Sequence, residues 1–253
     1  MIPPARDGRV LRLDGAMGTA LLGRGLPAGT LPEAWVVERP WEVEAVHRGH
    51  VAAGAELLLT CTFNLARLDD VAPSLDPVEV ARRAVTLARS AGPRAVAGCA
   101  GPTGLVRPGT RSPSPVAIAE RYERAFRALA AAGADLLWLE TQLDLGEARA
   151  ALAAGRRTGL PVVVTAFLVP GPGGMAALDG SPGEEFLRAL WREGAAAVGV
   201  NCVRPDAALV RLVAATRVAV PVPIAVKPDA GLPGDPVGTA AFAAGVAAAV
   251  RAG

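Results

Sequence analysis

Short apolar runs alternate with longer amphipathic segments along most of this chain. The runs are rich in Leu, Val and Ala and predict β-strands at 10–13, 56–60, 95–98, 135–139, 162–166, 197–200 and 224–226. The segments between them have helical spacing and predict helices at 41–53, 77–91, 115–132, 145–158, 183–193, 206–216 and 236–252. Such a strict alternation predicts parallel strands joined by right-handed crossovers.

Two folds share this alternation: an open doubly wound sheet and a (β/α)8 TIM-type barrel. The open sheet predicts a Gly-rich phosphate turn after the first strand, and DGAMGT at 14–19 does not have that spacing. A length of 253 residues and polar strand ends favour a single barrel domain spanning residues 1–253. Because no eighth strand is recognisable, we expect an α/β barrel that lacks it, with two exposed sheet edges.

The composition narrows the class of protein further. Hydrophobic residues make up 51% and charged residues 20% of the chain, which supplies a sizeable core. The net charge of +2 is spread over interspersed acids and bases, so nucleic acid is not an expected partner. Three scattered cysteines are too few for a disulfide framework, and no leader-like or membrane-spanning apolar run is visible. These observations predict a cytoplasmic protein with reduced thiols and no membrane contact.

Acidic residues follow two of the predicted strands. Asp14 ends the first strand and Glu140 ends the fourth, so in a barrel both lie at the carboxyl-end mouth. Two carboxylates at one mouth suit an ammonium group, since without a cation the pKa of one acid would rise. For Asp14 the alternative is a cap on the following helix or an ion pair with an arginine. That alternative is weaker for Glu140, because Glu is a poor cap and the run before it is apolar.

All three thiols also follow predicted strands, at Cys61, Cys99 and Cys202. Cys202, next to Asn201, could be a nucleophile, a metal ligand or a packing residue, and zinc would need three or four ligands. A site made of three thiolates is conceivable. However, the strand before Cys202 lies across the barrel from the other two, which argues against it.

Other candidate residues have structural interpretations that we favour. His47 and His50 lie on a predicted outer helix and are expected to be solvated. The loop GCAGPTG at 98–104 could bind an anion through backbone N–H groups, or could simply be a tight loop lining the mouth. Met17 and Tyr122 are expected to be packing residues.

Taken in order, the strand ends resemble the motifs of the homocysteine S-methyltransferases. The matching stretches are LDGAMGT at 13–19, TCTF at 60–63, GCAGPTG at 98–104, ET at 140–141, GVNC at 199–202 and KPDAGLP at 227–233. Six motifs in register through nearly the whole chain make a specific resemblance. Their details are most similar to the homocysteine-binding domain of cobalamin-dependent methionine synthase. They are less similar to the betaine enzymes, which carry an aromatic residue where this chain has Asn64.

The resemblance implies an enzyme that methylates the thiol of homocysteine to give methionine. In this family zinc binds the homocysteine sulfur and lowers its pKa, so that a thiolate attacks the methyl group. Carried over residue by residue, Asp14 and Glu140 would hold the amino group. The backbone of Gly15 and Ala16, together with Thr60, would bind the carboxylate. The expected partners are therefore homocysteine and a methyl donor that the sequence does not identify.

The resemblance also assigns the metal site. Cys202 would be one zinc ligand and Asn201 would shape the site. The family's other two ligands form a Cys-Cys pair on the eighth strand, and this sequence ends just before that point, so only one of three cysteine ligands is present. Cys61 and Asp229 each replace a family Asn. We therefore expect the chain as written to bind zinc poorly.

Three functions remain open. The first, which we adopt, is a homocysteine S-methyltransferase whose native chain continues beyond Gly253 with adjacent cysteines. The second is an amino-acid-binding or partner-binding subunit without zinc, in which a second copy or another protein covers the open barrel edge. The third is a different transferase that depends on the three thiols.

Overall fold

The computed structural model describes residues 10–106, 113–171, 173–232 and 235–253. Its centre is a six-stranded parallel sheet in which each strand lies beside its predecessor, forming a curled half-barrel. The strands in spatial order are β1 (Leu57–Leu59), β2 (Ala95–Ala100), β3 (Leu136–Gln142), β4 (Val162–Ala166), β7 (Ala197–Asn201) and β8 (Ile224–Lys227). This arrangement confirms the predicted incomplete TIM-type barrel.

The first predicted strand, at 10–13, is reduced to a single parallel bridge between Leu13 and Leu57. Around that bridge the Asp14 N–H donates to the Leu57 carbonyl at 3.1 Å and the Glu56 N–H donates to the Arg12 carbonyl at 2.8 Å. The segment therefore lies beside β1 at the position expected of a first barrel strand. At the opposite edge β8 pairs with β7 alone among the described strands.

The predicted helices form within a few residues of the expected bounds. They are α3 (Pro40–Ala52), α5 (Pro77–Ser90), α6 (Pro115–Ala131), α7 (Leu145–Arg156), α8 (Gly183–Arg192), α9 (Ala207–Ala219) and α10 (Thr239–Ala252). Side chains of Asp76, Ser114, Asp144 and Asp206 accept backbone N–H bonds at the start of four of them, which fixes where those helices begin. Within the described ranges, no helix has the length and apolarity needed to cross a bilayer.

The structure also contains several short elements that the sequence pattern did not predict. They are α1 (Met17–Gly23), α2 (Pro32–Glu38), a 3-10 helix at Leu65–Arg67, α4 (Leu68–Val71), the hairpin β5 (Val169–Gly171) with β6 (Gly174–Ala176), and the pair β9 (Gly231–Leu232) with β10 (Asp235–Pro236). The last pair explains why α10 begins at Thr239 rather than 236. Each element is too short to leave a clear periodic signal. All of them follow the carboxyl ends of barrel strands, so they build the mouth.

The core has two layers because strand side chains alternate between the two sheet faces. Inside the half-barrel, alternate residues of neighbouring strands pack together, namely Leu57, Leu59, Ala95, Ala97, Cys99, Leu136, Trp138, Val163 and Ala197. The intervening residues pack against the helices in the larger cluster. Trp138 fills the interior and donates its Nε1–H to Thr165 Oγ1 at 3.1 Å.

Candidate functional site

The mouth of the half-barrel brings Asp14 and Glu140 together around a cation of the protein itself. Lys227 Nζ lies 3.0 Å from Asp14 Oδ1 and 3.3 Å from Glu140 Oε1. Asp14 Oδ2 accepts the Leu59 N–H at 2.7 Å. The alternative that Asp14 caps a helix is wrong, because α1 begins at Met17 without a side-chain cap. We call Asp14, Lys227 and Glu140 the charged cluster.

Burial sets the electrostatics of this cluster. Burial raises the pKa of Asp14, while the charge of Lys227 and the Leu59 N–H bond oppose that rise. Burial alone would lower the pKa of Lys227, but the charges of Glu140 and Asp14 outweigh it and raise that pKa above its ordinary value. Lys227 therefore remains an ammonium group between two acids. The sequence places Lys227 at a strand end, but nothing in the sequence shows that it reaches Asp14.

A second feature of the mouth is a pair of strained residues held by Asn201. Thr141 and Cys202 have φ values of 60° and 56°, in the left-handed region that side chains disfavour. The Asn201 carboxamide accepts the Thr141 N–H at 2.9 Å, donates to Thr141 Oγ1 at 2.7 Å and donates to Cys202 Sγ at 3.2 Å. Asn201 is buried, so these bonds fix the local backbone at the end of β7.

Cys202 is the exposed cysteine of the three. Its backbone N–H donates to the Lys227 carbonyl at 3.0 Å, which sets it beside the charged cluster. Burial of the sulfur raises the pKa of Cys202, the Asn201 bond lowers it, and Glu140 raises it further. The net rise keeps Cys202 a neutral thiol near pH 7, which makes it a poor nucleophile on its own.

The other two thiols are separated from Cys202. Cys61 is buried in the helix-facing core, whereas Cys99 lies in the barrel interior with Sγ 3.4 Å from Glu140 Oε2. Burial raises the pKa of both thiols well above the ordinary value. Across the described ranges, no group of three or more His, Cys, Asp and Glu side chains could hold a metal ion. Zinc needs three or four donors, so the donor set described here does not fit it.

The residues expected to bind a carboxylate flank the charged cluster. Within the described part of the chain, the N–H groups of Gly15 and Ala16 donate to no other residue. A Cβ on Gly15 would lie 3.0 Å from His50 Nε2, so the histidine ring packs on this turn. Thr60 Oγ1 accepts the Cys99 N–H at 2.9 Å and lies 2.6 Å from Thr62 Oγ1. The Thr60 hydroxyl is therefore engaged in joining two strand ends.

The expectation that His47 and His50 are solvated is wrong. His47 is fully buried, and neither of its ring nitrogens has a partner among the described residues. Burial lowers the pKa of His47 to about 4. His50 is partly buried, and its pKa is also lowered by burial, with Asp14 opposing the change. The face of α3 that carries both rings turns inward, which helical periodicity alone did not reveal.

The loop at 98–104 is a tight structural loop. Gly101 N–H donates to the Phe63 carbonyl at 2.7 Å, and the Thr103 N–H and hydroxyl both donate to Glu147 Oε1 at 2.7 Å. Its donors are thus used inside the protein, which disfavours the anion-binding alternative. Tyr122 is fully buried and donates to the Gly101 carbonyl at 3.0 Å, in keeping with a packing role. Met17 is partly buried against the core.

A parallel half-barrel whose strand ends carry an acid–lysine cluster and a thiol defines a protein of the (β/α) barrel class. Its sequence matches the family model described as homocysteine S-methyltransferase over residues 11–249. The chain belongs to the homocysteine S-methyltransferase family, as its strand-end motifs predict.

Individual relatives agree with this assignment. The chain is 29% identical over 248 residues to methionine synthase from Mycobacterium tuberculosis, covering 89% of this chain and 20% of that protein. It is 30% identical over 250 residues to methionine synthase from Mycobacterium leprae, again covering 89% and 20%. The chain thus spans about one fifth of the length of these curated relatives.

Solved structures show the same fold over most of their length. The oxidised form of the homocysteine methyltransferase MmuM from Escherichia coli superposes with a TM-score of 0.78 at 26% identity, covering 100% of this chain and 91% of that one. The metallated form of the same protein gives a TM-score of 0.75 at 26% identity, covering 89% and 85%.

Proposed function

We propose that this chain binds homocysteine at the barrel mouth and serves the transfer of a methyl group to its thiol, giving methionine. The observation that carries the proposal is the convergence of Asp14 and Glu140 at the strand ends of a chain of this family. Two carboxylates around one cation position provide a subsite for the α-ammonium group of an amino acid.

The neighbouring groups complement the rest of an amino acid. The N–H groups of Gly15 and Ala16 lie one and two residues beyond Asp14, and we assign them to the substrate carboxylate. Thr60 supports this side of the mouth by tying the end of β1 to β2. With the two ends of the amino acid held there, its thiol extends toward Asn201 and Cys202 at the end of β7.

The methyl transfer itself is a displacement at carbon. The homocysteine thiol gives its proton to solvent, the sulfur electron pair forms the new S–CH3 bond, and the donor leaves with the electrons of the old bond. The named relative in metallated form carries a metal, but the described residues here offer one exposed thiol and no metal-holding group. They do not fit zinc, and no step of the proposal is assigned to a metal. The hydrogen bond from Asn201 Nδ2 orients the Cys202 thiol at the wall of the site.

The test is methionine formation by the purified chain from homocysteine and candidate donors, with and without added zinc. Asp14→Asn and Glu140→Gln should each reduce kcat/KM by about 100-fold, because each removes a charge-assisted contact to the ammonium group. Glu120→Gln, an exposed acid on α6, is the matched control and should be unchanged.

Equal activity in all three variants would contradict the proposal. Tight homocysteine binding without turnover under every condition would instead support an amino-acid-binding subunit. That outcome would also contradict methyl transfer by this chain alone.

A further inference from the structure

Lys227 is the sole lysine of this sequence, and its ammonium group occupies the place that the proposed function gives to the substrate amine. Resting on that function, we propose that Lys227 is an internal counter-ion of the ammonium subsite. The α-ammonium of an amino-acid ligand then binds by displacing Lys227 from Asp14 and Glu140.

The oxygen atoms of the two acids leave little choice of position for a second cation. Asp14 Oδ2 already accepts the Leu59 N–H at 2.7 Å, and Glu140 Oε2 already faces the Cys99 thiol at 3.4 Å. The remaining oxygens, Asp14 Oδ1 and Glu140 Oε1, are the two that Lys227 holds. An ammonium group that contacted the same oxygens would lie within a few ångströms of Nζ. Two like charges at that separation repel strongly in a poorly solvated site, so one must leave.

The backbone of Lys227 is held by the sheet, and its side chain is 12% exposed to solvent. Its carbonyl accepts the Cys202 N–H at 3.0 Å, and its strand, β8, pairs with β7. Every residue of β8 is partly exposed, and no other described strand covers this edge. The flexible four-carbon stem of a lysine can therefore carry the charge away from the two acids, toward solvent, without moving the strand.

Displacement has a chemical consequence for selectivity. Exchanging one ammonium group for another keeps the charge of the cluster constant. Binding an amino acid therefore adds no buried charge to the site. A thiol ligand with a carboxylate but no amine lacks a cation that could pair with the two acids, so it leaves Lys227 in place. An amine must therefore bind the two acids more strongly than Lys227 does. Removing the charge of Lys227 strengthens amine binding.

A single lysine makes the experiment direct. Protein labelled with 15N-lysine gives one side-chain ammonium signal in NMR, that of Lys227. Saturating homocysteine should shift this signal and speed its hydrogen exchange, because the ion pairs are broken. Saturating 4-mercaptobutanoate, the matched analogue without the amine, should leave the signal unchanged. Saturation is established independently by calorimetry.

Variants give a second readout. Lys227→Met keeps the stem without the charge and should bind homocysteine about tenfold more tightly, with 4-mercaptobutanoate affinity unchanged. Lys227→Arg keeps the charge and should bind homocysteine no more tightly than the unaltered chain. Circular dichroism and thermal unfolding check that each variant is folded. Should Lys227→Met not fold, the NMR titration of the unaltered chain decides alone.

Homocysteine binding with an unmoved Lys227 signal would overturn this inference and leave the proposed function standing. Displacement of Lys227 without methionine formation would support this inference and contradict the proposed methyl transfer. Absence of homocysteine binding to both the unaltered chain and a folded Lys227→Met variant would overturn both.

Discussion

The carboxamide of Asn201 joins Thr141 across an intervening strand: Oδ1 accepts the Thr141 N–H at 2.9 Å and Nδ2 donates to Oγ1 at 2.7 Å. Thr141 lies on β3 and Asn201 on β7, with β4 between them. The register between β3 and β4 shifts between Leu139 and Gln142, which is where Thr141 adopts its positive φ. A bulge of this kind re-aims side chains at a site.

Removing the carboxamide tests how much this bridge stabilises the mouth. Asn201→Ala should lower the free energy of unfolding by about 2–3 kcal/mol, because it leaves the Thr141 N–H without its partner beside a strained residue. Thr141→Val removes one of the two bonds and keeps the branched shape, so it should cost about 1 kcal/mol. Urea unfolding of both variants measures the difference. Equal losses would show that the backbone contact contributes nothing.

Buried His47 should make stability depend on pH. Its pKa is about 4 in the folded protein against 6.5 when unfolded, so between these values the unfolded state binds more protons. Stability is therefore fully present above about pH 6.5 and falls as the pH is lowered toward 4, by at most about 3 kcal/mol for this group.

His47→Leu should flatten that dependence, and it should not destabilise the protein at pH 5, since it also removes two ring nitrogens that have no partner among the described residues. Thermal unfolding of both proteins from pH 4.5 to 7.5 supplies the comparison. A His47→Leu profile that parallels the unaltered one would rule out this residue as the source, leaving groups such as His50, whose pKa shifts in the same direction.

Gly199 has no room for a side chain. A Cβ there would lie 1.8 Å from the Ala225 carbonyl oxygen on β8, so Gly199→Ala must push the last strand away. We expect a loss of about 3 kcal/mol or more, or no folded protein. The matched control is Gly49→Ala on α3, where a Cβ meets nothing within 4 Å. It should stabilise by about 0.5–1 kcal/mol. Two variants of equal stability would contradict the close approach of β7 and β8.

Glu33 anchors the loop after β1 from within the core. Its Oε1 accepts the Asn64 N–H at 2.7 Å, and its Oε2 accepts from Asn64 Nδ2 at 3.1 Å. Glu33→Gln turns one acceptor into a donor that faces donors, so it should cost about 1–3 kcal/mol. Glu38→Gln, at an exposed position on the same helix, should change stability by less than about 0.5 kcal/mol. Chemical unfolding compares the two, and similar values would show that Glu33 is not an anchor.

Much of the architecture follows from local signals in the sequence. The alternation of apolar runs and amphipathic segments located the strands of the sheet and seven of its helices, because burial periodicity is a property of neighbouring residues. The motifs at the strand ends identified the family, since parallel strands place their carboxyl ends at one mouth. The convergence of Asp14 and Glu140 could be anticipated for the same reason.

What the sequence by itself determined is therefore the order of the elements, the incomplete barrel and the family. The tertiary structure alone decided that Lys227 lies between two acids, one of them 213 positions away, and that Asn201 reaches Thr141 over a whole strand. It also decided that His47 faces the core. These are contacts between residues distant in the chain, and they depend on curvature, a bulge and helix orientation. Local periodicity carries no information about such distances, so only the folded chain fixes them.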